Sequence, residues 1–161
     1  ETATPLYRRS SLDRIGPWSM LWLEEDWEYD SRVGALRGEV EFVDVELVEH
    51  RDHSGPLLSV GDPLDPWRLH QRSVAHQKVC EHALSAGMHR GSTEMRKFAR
   101  ALFFLGRRCG AAGLDPDARR LVDLSVWIDP DQSDALLYKS VAERVGWKRM
   151  GKLAQRTDAL R

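Results

Sequence analysis

The chain is 161 residues long, 42% hydrophobic and 30% charged, enough for one domain with a core or for two small packed units. No apolar run approaches the ~20 residues of a membrane-spanning helix, and no signal peptide opens the chain. The net charge of −1 conceals a split: residues 1–65 hold 6 Lys/Arg against 15 Asp/Glu, a balance of −9, and residues 66–161 hold 18 against 10, a balance of +8. This asymmetry predicts two parts, 1–62 and 63–161, joined at the turn-rich Gly61-Asp62-Pro63-Leu64-Asp65-Pro66. The start at Glu1-Thr2-Ala3-Thr4-Pro5, without methionine, reads as a piece of a longer protein. Cys80 and Cys109 lack C-x-x-C spacing and are expected as small buried side chains in a reduced compartment.

In chain order, Ser10 or Ser11 is expected to cap a short helix through Asp13-Arg14-Ile15, stopped by Gly16-Pro17. A second helix is expected from Glu24 to Leu36, its acidic first turn suiting the positive end of the helix dipole. From Val40 to His50 the run VEFVDVELVEH alternates with period two, the pattern of a half-buried strand, and a polar loop follows to Gly61. After the linker the period becomes helical. Helices are expected over 66–86, 93–109 with Ser92 as cap, 115 to about 127 with Pro116 at the first helical position, 132–145 and 147–160. Short Gly/Asp/Pro connections make these antiparallel hairpins. The stretch GLDPDARRLVDLSVWIDP resembles one unit of a tetratricopeptide-like helical pair, without a second copy at a ~34-residue period. The expected fold class is therefore α+β, mostly α overall: a partial α/β segment followed by a helical-hairpin tail.

Five short motifs stand in order in the first half: Tyr7-Arg8-Arg9, Gly16-Pro17-Trp18, Glu25-Asp26-Trp27-Glu28-Tyr29, Arg32-Val33-Gly34 and Arg51-Asp52-His53. In this order they resemble the C-terminal, acceptor-side part of family-2 glycosyltransferases of the GT-A fold. The spacer between Gly16-Pro17-Trp18 and Glu25-Asp26 is short for that family, and Ser19 stands where an acidic residue often follows the turn. The resemblance implies an inverting transfer of sugar from a nucleoside-diphosphate donor to a saccharide or lipid-linked acceptor. It also implies that the nucleotide-binding half, with its D-x-D motif, lies outside this chain; Asp129-Pro130-Asp131 reads as a helix cap instead.

Transfer with inversion needs a carboxylate that takes the acceptor hydroxyl's proton as the oxygen attacks the anomeric carbon. Asp26 holds that position in the motif, with Glu25 orienting it or touching the acceptor. Trp27 offers an aromatic face to a sugar ring, whereas Trp18 and Trp22 are expected in packing. Arg51 is assigned to acceptor binding. His53 is assigned to the shell of a divalent ion, manganese or magnesium, as the resemblance implies. His70, His76, His82 and His89 lack the spacing of a metal pair and are expected on polar helix faces.

The tail carries Arg107-Arg108, Arg119-Arg120, Lys148-Arg149, Lys152 and Arg156. Its basic residues are dispersed and lack interleaved aromatics, so nucleic acid is not an expected partner. The last helix sets Trp147, Met150, Leu153 and Leu160 on one stripe, which fits either packing on the preceding hairpin or peripheral contact with anionic lipid. The expected setting is cytoplasmic, at the inner face of the membrane. The alternative to catalysis is a helical-hairpin module that recruits a partner or a second protomer.

Overall fold

A computed structural model describes residues 5–37, 40–46, 48–49 and 61–158. Seven helices occur among them: α1 (Arg9–Ile15), α2 (Glu25–Ala35), α3 (Pro66–Ser85), α4 (Thr93–Ala112), α5 (Asp115–Ile128), α6 (Ser133–Val145) and α7 (Trp147–Asp158). The fold is helical, and the expected α+β class is corrected: no strand forms among the described residues. Val40, Phe42, Val43, Val45 and Val48, in the expected strand, are exposed instead, Val40 by 91% and Phe42 by 85%. The reason is physical. Period-two alternation describes a side-chain pattern, but a strand exists only where a neighbour accepts and donates its backbone hydrogen bonds. Among the described residues no backbone is paired in this way.

The helices begin and end where local chemistry dictates. Asp65 caps α3 by accepting from the Arg68 N–H at 3.1 Å, with Pro66 in the first turn, and Ser92 caps α4 by accepting from Met95 N–H at 3.3 Å. Gly113, at φ 87°, and Gly146, at φ 96°, follow α4 and α6 in backbone conformations that L side chains rarely adopt. At α1 the cap is Arg8 rather than either serine, and no side chain bonds the helix end.

Helix α4 is the hub. It packs against α5, α7 and α3, while α6 lies on α7 and α5. Leu69, Met95, Leu102, Leu121, Val122 and Ile128 are almost wholly buried, each contributing roughly 1.5–3 kcal/mol by leaving water. Glycines let the helices approach closely. A Cβ on Gly106 would lie 2.8 Å from Val122 Cγ2, and one on Gly110 would lie 2.9 Å from the Trp147 carbonyl oxygen. A Cβ on Gly151 would collide with the Ala111 nitrogen and stand 2.7 Å from the Gly110 carbonyl carbon. The stripe of α7 thus faces α4: Trp147 is buried and Met150 packs against the core, while Leu153 stays 57% exposed. Leu160, the fourth residue of the expected stripe, lies outside the described residues. Among the described residues no helix is long and apolar enough to cross a membrane.

The two thiols are buried in α3 and α4, and burial pushes Cys80 up to about 11 and Cys109 up to about 12. Both are poor nucleophiles near neutral pH. The acidic first part docks on the basic second part, as the charge split implies: α2 packs on α3, and α1 packs on α2.

Candidate functional site

The motif residues meet around α2. Arg32 donates from Nη1 to the carbonyl oxygens of Ile15, at 3.0 Å, and Pro17, at 2.9 Å, so the Arg-x-Gly motif holds the Gly-Pro-Trp turn. Trp18 stacks on Tyr29 with ring centroids 4.4 Å apart and planes 7° from parallel. The Tyr7 hydroxyl donates to Asp30 Oδ1 at 2.9 Å and its ring meets Tyr29 edge-on. Burial and the neighbouring Asp30 carboxylate push the Tyr7 phenol up to about 12, which keeps it a donor.

Beneath this cluster lies a buried polar network that no motif signals. Glu28 is only 2% exposed. Its Oε1 lies 2.9 Å from Arg32 Nε and accepts from His82 Nε2 at 2.9 Å, and its Oε2 accepts from Arg32 Nη2 at 3.1 Å. Burial opposes ionisation of Glu28, yet the hydrogen bond from His82 and the charges on Arg32 and His82 outweigh it, and hold the carboxyl below its ordinary value.

One turn earlier, Glu24 stands 3.0 Å from Arg72 Nε and 3.0 Å from His76 Nδ1. His76 Nδ1 also donates to the Arg72 carbonyl oxygen at 3.0 Å, which makes Nδ1 the protonated nitrogen, since a carbonyl only accepts. His76 and His82, expected as polar-face residues, are therefore the anchors of α2. The only trace of this in the sequence is a pair of four-residue spacings, Glu24/Glu28 at the start of the expected second helix and Arg72/His76 on the third.

Glu24 adopts φ 59°, ψ 23°, a left-handed conformation unusual for a residue with a Cβ. Holding it there costs on the order of 1–3 kcal/mol, offset by the Arg72 and His76 contacts. The result is that Glu25, Asp26 and Trp27 open α2 in the first turn, in a fixed orientation over α3.

Asp26 is half-buried, and its Oδ1 accepts from the Trp27 N–H at 2.9 Å. Glu25 is half-buried on the same turn. Trp27 is 58% exposed, with its ring 5.9 Å from that of His76, which in turn stacks on Phe98. Trp18 stacks on Tyr29 but stays 45% exposed, and Trp22 is 73% exposed, tied down through its backbone N–H to Gln71 Oε1 at 3.1 Å, so neither is the buried packing residue expected. Trp27, Trp22 and Trp18 are thus all exposed indoles in the segment that carries Glu25 and Asp26.

Arg51 and His53, assigned to acceptor and metal, lie outside the described residues, as does His50. Among the described residues no group of three or more His, Cys, Asp or Glu stands together as metal donors. The four acidic residues at the head of α2 do not supply such a group, because Arg72 and His76 occupy Glu24 while Arg32 and His82 occupy Glu28. These residues do not fit a divalent ion.

No protein-family model, curated protein or solved structure matches the chain.

Proposed function

We propose that the part of the chain around α2 is the acceptor side of an inverting glycosyltransferase that uses a nucleoside-diphosphate sugar. The observation that carries this reading is the order of the five motifs. It is supported by the mutual contacts of those that are described: Arg32 with the Ile15-to-Pro17 turn, Trp18 with Tyr29, and Tyr7 with Tyr29. Motifs dispersed over a surface would not favour a common site.

In this reading the Asp26 carboxylate takes the proton from the acceptor hydroxyl as its oxygen bonds to the anomeric carbon. The bond from that carbon to the nucleoside diphosphate breaks, and the diphosphate leaves with the electron pair. Attack from the face opposite the leaving group inverts the centre. Asp26 is aimed by a helix seated on α3 rather than by a loop, which is what a base in a positioned reaction needs. Trp27 and Trp22 offer faces for the C–H side of acceptor sugar rings, and Glu25 contacts acceptor hydroxyls or orients Asp26.

The donor, its divalent ion and the D-x-D motif belong to the nucleotide-binding half that this reading requires, with Arg51 and His53 completing the acceptor and metal contacts. A direct test of the acceptor platform is saturation-transfer NMR with saccharides on the 161-residue chain. Saturation transfer from the wild type to the sugar protons is expected, and it should be strongly reduced in Trp27→Ala. Equal saturation transfer from the wild type and this variant would remove Trp27 from the site.

A further inference from the structure

The buried apolar side chains fall into two sets. Leu69, Met95, Leu102, Leu121 and Ile128 belong to the core that α3 to α7 share, whereas Ile15, Leu23 and Tyr29 are buried outside it. Tyr29 is covered by its own part of the chain. Tyr7 meets it edge-on, Trp18 stacks on it, and the Arg32 guanidinium lies 4.9 Å from its ring centroid. Arg32 also ties α2 to the carbonyl oxygens of Ile15 and Pro17, and Tyr7 is tied to Asp30. These contacts hold α1, the turn after it and α2 together without any group from the bundle.

The contacts of this part with α3 include two charged clamps, one helical turn apart. Glu24 stands 3.0 Å from Arg72 and 3.0 Å from His76. Glu28 stands 2.9 Å from His82 and pairs with Arg32 on its own helix. Two further hydrogen bonds end on neutral acceptors: the Trp22 N–H donates to Gln71 Oε1, and Arg37 donates to the Ala86 carbonyl oxygen. Among the described residues α1 supplies neither carboxylate with a partner, and its Arg9 pairs with Asp13. The charged and titratable groups facing Glu24 and Glu28 are therefore Arg32 from α2 and Arg72, His76 and His82 from α3. On the α4 side, His76 meets only the uncharged ring of Phe98.

Acid reverses the balance of this layer. With both carboxylates ionised, two anions stand among two guanidinium groups and two imidazoles. Once Glu28 takes a proton, Arg32, Arg72 and the protonated imidazoles of His76 and His82 share Glu24 as their one anion. Like charges at such separations repel, and more strongly where water is partly excluded. The core that α3 to α7 share contains no carboxylate, so the same proton leaves it untouched.

We propose that acid releases α1 and α2 from α3 as one unit, triggered by protonation of Glu28, while the bundle of α3 to α7 stays folded. The Glu28 carboxyl is held below its ordinary 4.5. Docking is thus fully favoured above that value and is lost as pH falls through the lower, folded one. Release carries Glu25, Asp26 and Trp27 away from α3, but the inference does not rest on sugar transfer.

The tryptophans report on each part. Trp27, whose ring lies 5.9 Å from that of His76, and the Trp22 backbone N–H sense docking. Trp18, stacked on Tyr29, senses the integrity of the released unit, and Trp147, 3% exposed, senses the bundle. The experiment follows the indole N–H NMR signals of Trp18, Trp27 and Trp147 and the Trp22 amide signal in the 161-residue chain as pH falls from 7 to 3. The Trp22 and Trp27 signals are expected to shift in a transition below pH 4.5, through which those of Trp18 and Trp147 hold. One transition shared by all four, or none down to pH 3, overturns the proposal. Glu28→Gln is expected to show at pH 7 the Trp22 and Trp27 signals that the wild type reaches in acid, with Trp147 at its native position. A variant that stays docked at pH 7 and releases over the wild-type range removes Glu28 as the trigger. Should the variant not fold, its Trp147 signal is lost as well, and the wild-type titration decides.

Discussion

Glu28 keeps its charge inside the protein because two groups replace the water it loses, Arg32 and His82. Glu28→Gln removes the anion and leaves Arg32 and His82 facing a neutral amide. The expected loss is about 1.5–3 kcal/mol, the range for hydrogen bonds to charged groups, read as a lower denaturant midpoint. A pH dependence follows from the same contacts. The folded-state pKa of Glu28 lies below its ordinary 4.5, so the unfolded chain binds more protons at acid pH. The stabilisation is complete above the ordinary value and is lost as pH falls through the folded one. Thermal melts of the wild type between pH 6 and pH 3 are expected to show this loss and those of Glu28→Gln a shallower one; parallel curves would remove Glu28 as its source. At this scale the sequence is only half legible. The motif points to Asp26 and Trp27, but Glu28 reads as helix decoration, because its partner His82 is 54 positions away and no local spacing reveals it.

At the scale of elements, caps and breakers are what the sequence makes plain. Asp65-Pro66, Ser92, Gly113 and Gly146 mark helix ends that local chemistry fixes, so the helices from α3 to α7 are legible to within a few residues. The strand expected at 40–50 is not, since its existence depends on a partner that periodicity cannot supply. Close helix approach is also hidden, because a glycine in a helical pattern does not announce what it faces. Gly151→Ala is expected to destabilise by about 1–3 kcal/mol or more, as the new methyl meets the α4 backbone. Gly34→Ala, on the exposed side of α2 with nothing within 4 Å of its Cβ position, is expected to stabilise by roughly 0.5–1 kcal/mol. Paired chemical denaturation checks both; equal midpoints for the two variants would contradict the close packing of α7 on α4.

For the whole molecule, the charge split implies contact between the two parts but does not reveal its nature. Because ion pairs contribute little, apolar residues, Phe98, Leu102 and Leu121 among them, are expected either in that contact or in the second part's own core. Leu102 and Leu121 fill the helical core, and the α2–α3 contact includes the network of Glu24, Glu28, Arg72, His76 and His82. Surface ion pairs contribute little and weaken with salt, whereas this network is mostly shielded from solvent. Limited proteolysis at the 61–66 turn is therefore expected to be slow at low salt and only modestly faster at high salt. Immediate cleavage into two pieces that do not associate would contradict the docking.

The proposed function turns on Asp26. The decisive measurement is the turnover of Asp26→Asn, assayed with this chain joined to the donor-binding half that the proposal requires. Asparagine keeps the size and one hydrogen-bond acceptor but is no base. Turnover is expected to fall about 10²–10⁴-fold, with donor affinity little changed because the nucleotide is held elsewhere. Near-normal turnover in Asp26→Asn would contradict the assignment of this α2 head as the acceptor side of a sugar transferase.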